Sequence, residues 1–448
     1  MHNVILPYTF RISLLMSQTQ LIYQHFISGR TICTDTRTIS PGCLFFALKG
    51  EKFDANTFAE EALSQGAAFA VIDNSTYQVN SRCILVEDVL STLQDLARFH
   101  RSQLRIPVIG LTGSNGKTTT KELINAVLAE KYKTFATHGN LNNHIGVPLS
   151  VLAIQEDTEI AVIEMGANHQ KEIELLCSIA QPTHGLITNV GMAHLDGFGG
   201  FEGVKKGKAE LFQYLKKCTG TAFINHNNAD LIEMSTAASL DHLVYYGTEG
   251  INFITGELLA SDPMISLKWK GRDESFEVTT QLTGAYNFEN ILAAICIGAF
   301  FNLTAEQINT GLEGYIPKNN RSQLTKTETN TVICDFYNAN PSSMSAALKN
   351  ISTLNANHKA AIIGDMFELG AESPQQHEDI AALAGTLNLD ILLFIGKNFY
   401  ALKDNYKGLF FMTPNDAQQW LEANPIKDSM VLLKGSRGMA LEQLLPAF

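Results

Sequence analysis

A glycine-rich segment, residues 113–118, holds the residues whose types and spacing point most clearly to chemistry. It reads Gly-Ser-Asn-Gly-Lys-Thr, follows the strand-like run at residues 108–111 and precedes a helical pattern of apolar residues. Its two glycines let backbone N–H groups close on phosphate oxygens, while Lys117 supplies a positive charge and Thr118 a hydroxyl for Mg²⁺. The segment predicts nucleoside triphosphate binding, although the longer G-x-x-x-x-G-K-[ST] motif would need glycine at Leu111. A glycine-rich turn without a ligand is the alternative.

Two further polar residues are candidates for the same site because they follow predicted strands. Glu164 ends the strand predicted at residues 160–163, and His194 follows the strand predicted at residues 185–189. In a mostly parallel sheet, ligands bind beyond the carboxyl ends of the strands. Glu164 is therefore placed to hold Mg²⁺ directly or through water, a solvated carboxylate being the alternative.

Lys208 is the most informative single residue. It lies on the apolar stripe of a helix predicted from Gly203, whereas Lys205 and Lys206 lie off that stripe and are expected to be solvated. A lysine on a buried face should extend its ammonium to the surface, pair with an anion or be chemically changed. The other members of the stripe are Val204, Leu211, Phe212 and Leu215.

Asparagines recur in two other segments. Asn140 and Asn143 lie in a loop rich in donors and acceptors, which could bind a sugar or a peptide or satisfy its own backbone. Asn287 and Asn290 share one face at the start of a long apolar helix. Helix capping would account for Asn287 and accounts less well for Asn290.

Composition limits the class of protein. The 448 residues predict roughly three domains. The 33 basic and 45 acidic residues give a net charge of −12, which argues against a nucleic-acid or anionic-membrane partner. The seven cysteines contain no C-x-x-C pair, so we expect neither a zinc site nor disulfides, and a reducing cytoplasm fits best.

No apolar run reaches the roughly 18 residues that a membrane span needs. Residues 1–15 lack the features of a secretory signal and are expected to be a disordered extension, Met16 being the alternative start. We expect a monomer.

The pattern of strands and helices predicts an α/β protein with three domains. Residues 1–104 form a small α/β domain, residues 105–317 a central P-loop domain with a mostly parallel sheet, and residues 318–448 a Rossmann-like domain without the G-x-G-x-x-G motif. Predicted strands lie at 44–48, 69–72, 84–86, 108–111, 160–163, 185–189, 331–334, 360–363, 391–395 and 430–433.

Polar loops in the outer domains are candidate walls of the site. In the first domain, Arg37 and Lys49 could bind an anion, an ordinary solvated surface being the alternative. In the third domain, polar segments follow three predicted strands, at residues 335–341, 364–370 and 434–437. We expect these segments to close over the phosphate loop as a second wall.

Six motifs, in chain order, resemble those of the Mur ligase family. The resemblance covers nearly the whole chain after the first thirty residues. The motifs are Thr112-Gly-Ser-Asn-Gly-Lys-Thr-Thr, Gly139-Asn-Leu-Asn-Asn-His-Ile-Gly-Val-Pro, Glu164-Met-Gly-Ala-Asn-His, Ala193-His-Leu-Asp-Gly-Phe-Gly, Tyr286-Asn-Phe-Glu-Asn and Asp335-Phe-Tyr-Asn-Ala-Asn-Pro.

The resemblance implies an ATP-dependent ligase. The last motif, with Gly364-Asp-Met and Glu368-Leu-Gly, implies joining D-alanyl-D-alanine to UDP-N-acetylmuramoyl-tripeptide through an acyl phosphate. A family member that adds a single amino acid to a muramyl peptide, or glutamates to folate, is the nearest alternative. A P-loop module that binds nucleotide without ligation is the alternative from another class.

The resemblance also implies roles for individual residues. Lys117, Lys208, His194 and Glu164 would be catalytic, and Lys208 would be carbamylated by CO₂. Two Mg²⁺ ions would be held by Thr118, Glu164, His194 and the carbamylated Lys208. ATP would be bound by Gly113, Ser114, Asn115, Gly116, Lys117, Thr118, Thr119, Asn287, Asn290, Arg321 and Asp335. The UDP substrate would be bound by Asp35, Thr36, Arg37, Lys49, Asn140 and Asn143, and Tyr337, Asn338 and Asn340 would form the wall at the dipeptide.

Overall fold

The computed structural model describes residues 8–29, 31–192, 194–271 and 274–448, with side chains from residue 18 onward. Of the extension predicted at residues 1–15, residues 1–7 lie outside the described ranges, and residues 8–15 belong to the helix Tyr8–Gly29. The chain is an α/β protein, as predicted. It divides into two compact units: the first unit contains residues 1–110, 135–166 and 174–183, and the second unit residues 111–134, 167–173 and 184–448.

Short strands and helices alternate up to Gln103. The elements are α1 (Tyr8–Gly29), β1 (Ile32–Cys33), β2 (Leu44–Phe46), β3 (Lys49–Gly50), β4 (Phe53–Asp54), α2 (Ala59–Ser64), β5 (Phe69–Ile72), β6 (Cys83–Leu85) and α3 (Val89–Gln103). Strands β1, β2, β5 and β6 pair in this order and are all parallel. Helix α3 begins where Asp88 accepts a hydrogen bond from the Ser91 N–H, at 2.6 Å, and so caps the helix.

The middle of the chain contributes strands to both units. The elements are β7 (Val108–Thr112), α4 (Lys117–Ala129), β8 (Thr134–Ala136), α5 (Gly146–Leu152), β9 (Ile160–Glu164), α6 (Glu172–Ala180), β10 (His184–Ile187), α7 (Leu195–Phe198), α8 (Phe201–Lys217), β11 (Thr221–Asn225), α9 (Ala229–Ala237), β12 (His242–Gly247), β13 (Ile254–Ser261), β14 (Met264–Gly271), β15 (Glu274–Thr283), α10 (Phe288–Phe300) and α11 (Ala305–Gly314).

These strands are mostly parallel. Strands β7, β9 and β8, most of whose residues belong to the first unit, are neighbours in that order. In the second unit β10, β11, β12 and β13 are parallel, and β14 and β15 follow as antiparallel strands. Strands β14 and β15 were not predicted, although buried Leu267 and Trp269 alternate with polar residues as is typical of a half-exposed strand.

The last part of the chain forms a six-stranded sheet. Its elements are β16 (Gln323–Lys326), β17 (Thr331–Asp335), α12 (Pro341–Thr353), β18 (His358–Gly364), α13 (Ser373–Thr386), β19 (Ile391–Ile395), α14 (Lys397–Tyr400), β20 (Leu409–Phe411), α15 (Pro414–Ala423) and β21 (Ser429–Lys434). The order is β16-β17-β21-β18-β19-β20, with only β16 antiparallel to its neighbour. Successive residues of β17 enter different cores, Val332 one and Ile333 the other, so both faces of the sheet are covered.

The strand order brings three loops to one edge of this sheet. Asp335 is paired with Lys434 in register, and Lys434 with Ile363 on its other side. The segments that follow β17, β18 and β21 therefore begin side by side. None of the helices in the described ranges is both long enough and apolar enough to cross a membrane.

Candidate functional site

The phosphate loop follows the fully buried strand β7 and runs directly into helix α4. Gly116 precedes the first helical residue with φ of +76°, a left-handed conformation that favours glycine. A Cβ at this position would also lie 2.7 Å from Oδ1 of Asn290. The turn therefore requires glycine, and it directs the first backbone N–H groups of α4 into the loop, where an anion is favoured.

Residues that follow β10 anchor the backbone of this loop. The N–H of Ser114 donates to the carbonyl of Asn189 at 3.0 Å, and the N–H of Asn115 donates to Oδ1 of Asn189 at 3.0 Å. The hydroxyl of Thr188 donates to the carbonyl of Asn115 at 2.6 Å. The loop is thus held in shape by the neighbouring strand end, so little ordering is needed when a phosphate binds.

Lys117 brings a positive charge to the loop. Its Nζ donates to the carbonyl of Gly113 at 2.7 Å and to that of Ser114 at 3.3 Å. Thr118, the next residue, is buried. A cation, a helix N-terminus and a hydroxyl therefore lie within two residues of each other, as phosphate binding requires.

Asn287 and Asn290 join the first turn of α4 to the start of α10. Thr120 donates its hydroxyl to Oδ1 of Asn290 at 3.0 Å, and Asn290 donates to Oδ1 of Asn287 at 2.9 Å. Asn287 donates in turn to the carbonyl of Thr283 at 2.9 Å. The prediction that Asn287 caps helix α10 is wrong, because the Asn287 side chain makes no capping hydrogen bond. Adenine contact by these residues stays a prediction.

Lys208 lies inside the protein, on helix α8. Its relative exposure is 2%, and its Nζ lies 3.5 Å from the carbonyl of Ala167 and 5.2 Å from the centre of the Phe198 ring. Burial, and then the charge of Lys117, lower the pKa of Lys208 to about 7, although Glu172 and Glu210 oppose this shift. The side chain does not extend to solvent, so a substantial fraction of the amine is neutral near neutral pH.

One expectation for the same helix is wrong. Lys205 is not solvated: its side chain is 12% exposed and pairs with Asp230 at 3.0 Å and Glu233 at 2.8 Å. The carboxylates come from α9, whose position the spacing within α8 could not indicate. Lys206 is exposed, as expected.

His194 contacts a residue of the wall segment predicted at residues 364–370, although that residue had no individual role in the prediction. Its Nδ1 lies 2.6 Å from Oε2 of Glu368, in the loop after β18. Burial lowers the pKa of His194, Glu368 opposes the shift, and Lys117 and Lys208 add to it. His194 therefore lies in the field of both lysines predicted to be catalytic.

The polar segments after β17 and β21 meet near the phosphate loop. Asn115 donates to Oγ of Ser342 at 2.8 Å and accepts from Asn340 at 2.8 Å. Asp335 accepts from Lys434 at 2.6 Å. The predicted second wall therefore contacts the phosphate loop within the second unit, through Asn115.

Arg321, Tyr337 and Asn338 complete this wall. The Arg321 guanidinium lies over the Tyr337 ring at 3.7 Å, and its buried Nε has no hydrogen-bond partner among the described residues. Asn338 accepts from its neighbour, the Ala339 N–H, at 2.9 Å. The stacked guanidinium retains donor capacity for an anionic or carbonyl ligand.

Glu164 belongs to the first unit. It is 1% exposed, its N–H donates to the Thr137 hydroxyl at 3.0 Å, and its Oε1 accepts from the side chain of Asn142 at 2.8 Å. The alternative of a solvated carboxylate is therefore wrong. A buried carboxylate oriented by an amide has the chemistry of a metal ligand.

In the asparagine loop of the first unit, several polar groups form hydrogen bonds with nearby backbone groups. Asn143 accepts from the N–H groups of Ile145 at 3.1 Å and Gly146 at 2.8 Å, at the start of α5. Asn140 is exposed, and its carbonyl accepts from the Asn142 N–H at 2.7 Å. Both asparagines are exposed, but the side-chain oxygen of Asn143 is already used by these backbone N–H groups.

The predicted UDP-binding cations are both ion-paired. Arg37 is 86% exposed and donates through Nε to Asp35 at 2.9 Å, and the pKa of Asp35 is lowered to about 2 chiefly by these hydrogen bonds. Lys49 pairs with Asp73 at 2.7 Å. Thr36 lies between Asp35 and Arg37 in a short 3₁₀ turn that Asp35 caps. Binding of UDP by these residues stays a prediction.

Four contributing residues were not predicted individually: Asn189 and Ser342 had no predicted role, and Glu368 and Lys434 were predicted only as parts of the wall segments 364–370 and 434–437. All four follow or end parallel strands or lie at the start of the helix after one, a position that could have drawn attention to them. In the described part of the chain, no three His, Cys, Asp or Glu side chains converge as metal ligands. A cation in this region would need additional oxygen donors.

Three family models match successive parts of the chain: the Mur ligase family catalytic domain at residues 30–101, the Mur ligase middle domain at 111–298 and the Mur ligase glutamate ligase domain at 320–437. The UDP-N-acetylmuramoyl-tripeptide–D-alanyl-D-alanine ligase of Bacillus subtilis is 35% identical over 92% of both chains.

Solved structures agree with this similarity. A crystal structure of MurF from Acinetobacter baumannii is 31% identical, with a TM-score of 0.84 over 93% of this chain and 92% of that one. The MurF ligase of Thermotoga maritima, solved in complex with ADP, is 27% identical, with a TM-score of 0.83 over 94% and 97% of the two chains.

Proposed function

The chain belongs to the Mur ligase family, and from this we propose that it joins D-alanyl-D-alanine to UDP-N-acetylmuramoyl-tripeptide at the expense of ATP. The product is the UDP-muramoyl-pentapeptide precursor of peptidoglycan, with ADP and phosphate. The observation that carries the proposal is the 35% identity to a ligase of this name over 92% of both chains. We place the reaction in the cytoplasm, with small-molecule substrates and a monomeric enzyme.

We propose three functional domains with boundaries near residues 104 and 317. The first binds the UDP end of the substrate, the second ATP and the third closes over the reacting groups. The proposed UDP-binding residues are Asp35, Thr36, Arg37, Lys49, Asn140 and Asn143. Tyr337, Asn338 and Asn340 form the proposed wall at the dipeptide.

ATP binding is supported by the geometry of the phosphate loop and by the ADP complex of the Thermotoga maritima relative. The N-terminus of α4 receives the β- and γ-phosphates, and Lys117 neutralises their charge. The stacked Arg321 guanidinium supplies further donors to the nucleotide. Asn287, Asn290 and Asp335 contribute at the nucleoside end.

We propose that Thr118, Glu164, His194 and Lys208 hold Mg²⁺. The donor set fits: a hydroxyl, an imidazole and a buried carboxylate are present, and Lys208 lies in a buried position with a pKa of about 7. A neutral lysine amine attacks the carbon of CO₂ and releases one proton to solvent, giving a carbamate anion that would replace a repulsive ammonium by oxygen donors. When bound, Mg²⁺ would neutralise the negative charge between the carboxylate and the triphosphate.

The reaction takes place in two steps. A terminal carboxylate oxygen of the tripeptide attacks the γ-phosphorus of ATP, and the bond between this phosphorus and the bridging oxygen breaks. ADP is released, and the tripeptide becomes an acyl phosphate. The dipeptide amine then attacks the acyl carbon, and the tetrahedral intermediate expels phosphate while the nitrogen loses a proton. Lys117 and the α4 N-terminus stabilise charge on the phosphate oxygens during the first step.

A substrate panel tests the proposal. Purified protein with ATP and Mg²⁺ should release phosphate only when D-alanyl-D-alanine and UDP-N-acetylmuramoyl-tripeptide are both present, and Lys117→Met should not release it. Tripeptides with lysine or diaminopimelate at the third position are compared in parallel. Release with a single amino acid or with a folate would assign the chain to another ligase. Nucleotide binding that neither peptide affects would favour a non-ligating module.

A further inference from the structure

The loop after β18, residues 365–370, is held by a hydrogen bond at each of its first three residues. The N–H of Asp365 donates to the carbonyl of Ile395 at 2.9 Å, and the N–H of Met366 donates to Nε2 of His377 at 3.0 Å. The N–H of Phe367 donates to the Ser436 hydroxyl at 2.9 Å. Strand β19, helix α13 and the segment after β21 thus fix the path that leads to Glu368.

Both ends of this loop are also anchored. The carboxylate of Asp365 accepts from the N–H groups of Asn398 at 3.0 Å and Phe399 at 3.1 Å. At the other end, Gly370 lies so close to Asp196 that a Cβ would be 3.1 Å from its side chain. Asp196 is two residues from His194, so the loop abuts the segment that it contacts through Glu368.

The two residues that meet have uncommon backbone conformations. Glu368 has φ of +63° and His194 φ of +53°, in the left-handed region that residues other than glycine seldom adopt. Such conformations persist where the surroundings determine them, and they are concentrated at functional sites. Here they bring Oε2 of Glu368 to 2.6 Å from Nδ1 of His194, although the Glu368 side chain is 59% exposed.

We propose that Glu368 is a positioning residue that holds His194 as the tautomer protonated on Nδ1 and leaves the Nε2 lone pair for the reacting centre. A carboxylate accepts and cannot donate, so the hydrogen bond requires a proton on Nδ1. Histidines that bind metals commonly donate their second ring N–H to a carboxylate in this way. The inference rests on the proposed function, in which His194 binds Mg²⁺.

The contact joins two parts of the chain that match different family models. His194 belongs to residues 111–298 and Glu368 to residues 320–437. Glu368 can therefore accept the hydrogen bond from His194 only when these two parts of the chain are in contact, as they are in the second unit. It also places an anion beside a histidine that lies in the positive field of Lys117 and Lys208.

The experiment compares Glu368→Ala and Glu368→Gln with Glu372→Gln, an exposed glutamate in the next turn of the same segment. Proteins labelled with ¹⁵N-histidine are studied by NMR without substrates, and His194→Gln identifies the His194 signals among the 12 histidines. We expect the Nδ1–H tautomer in the native protein and in Glu372→Gln. Glu368→Ala should give the Nε2–H form or a mixture, and Glu368→Gln should largely keep Nδ1–H, because its amide oxygen still accepts.

Activity supplies the second measurement. We expect kcat to fall about 10- to 100-fold in Glu368→Ala, with a higher Mg²⁺ concentration for half-maximal rate, partial rescue in Glu368→Gln and no change in Glu372→Gln. An unchanged tautomer or an unchanged kcat in Glu368→Ala would overturn the proposal. If no substrate pair supports ligation but the tautomer still depends on Glu368, the proposed function fails and the positioning of His194 stands.

Discussion

At the scale of single residues, the burial of Lys208 is the most informative observation. An ammonium group with 2% exposure loses its hydration, and the nearby charge of Lys117 adds repulsion, so the pKa of Lys208 is lowered to about 7. The neutral amine has a lone pair that can attack CO₂, whereas the ammonium has none. The buried position of Lys208 thus favours the reaction of its amine with CO₂ that the proposed carbamate needs.

Replacing Lys208 by arginine tests this role. Lys208→Arg keeps a positive charge but cannot form the carbamate, so we expect at least about a 100-fold loss of kcat, the cost typical of removing one electrostatic contribution to the transition state. NMR of protein equilibrated with ¹³CO₂ should show a carbamate carbon that is missing from this variant. The control is Lys206→Arg, on the exposed side of α8. A fully active native enzyme without the carbamate signal would contradict the assignment.

At the scale of elements, the phosphate loop is joined to the start of α12 by a ring of hydrogen bonds. Asn115 donates to Ser342, Ser342 donates to Asn340 at 2.9 Å, and Asn340 donates back to Asn115. Asn340 also caps α12 by accepting from the Ser343 N–H at 2.9 Å. The loop that receives phosphate and the helix behind the proposed dipeptide wall therefore share one network.

A double-mutant cycle measures this coupling. Ser342→Ala should lower kcat/KM about 5-fold, because one net hydrogen bond contributes about 1 kcal/mol. The combined Asn115→Ala/Ser342→Ala variant should then lose less than the two single effects together. Ser345→Ala, one turn further along α12, is the matched control. Strictly additive losses would show that the ring does not act as a unit.

At the scale of the whole molecule, the fully buried His377 and the half-buried His184 link stability to pH. His377 is 0% exposed; its Nε2 accepts from Met366, so its Nδ1 donates to the carbonyl of Ser373 at 2.7 Å, and burial lowers its pKa. His184 packs against Phe223, Phe300 and Phe301, and burial lowers its pKa to about 4. Both rings are therefore neutral in the native protein at neutral pH.

The sign of the pH effect follows from these pKa values. Below about pH 6.5 the unfolded chain binds protons that the native protein excludes, so the free energy of unfolding should fall as the pH decreases from about 6.5 towards 4. Urea unfolding at pH 7.5, 6 and 5 measures the slope. The free energy of unfolding should depend less on pH in His184→Phe. The control His138→Gln, which removes an exposed ring, should leave this dependence unchanged. An unchanged slope in His184→Phe would contradict the assignment.

Local pattern was sufficient for much of the fold. The strand at residues 391–395 and the buried stripe that contains Lys208 were predicted because a continuous apolar run and helical periodicity depend on neighbours a few positions away. The predicted strands 430–433 and 360–363 are longer in the structure by two and three residues, respectively. Ends of elements depend on partners elsewhere in the chain, which periodicity does not specify.

The sequence by itself determined the α/β class, the phosphate loop and, through its motifs, the family resemblance. Only the tertiary structure decided that Glu368 bonds His194 and that Asn115 meets Ser342, 227 positions away. The order β17-β21-β18 brings the segments that carry Ser342 and Glu368 to one sheet edge, although the two segments are distant in the chain. Hydrogen bonds between distant residues leave no periodic trace in a sequence, because their spacing is set by the path of the chain between them.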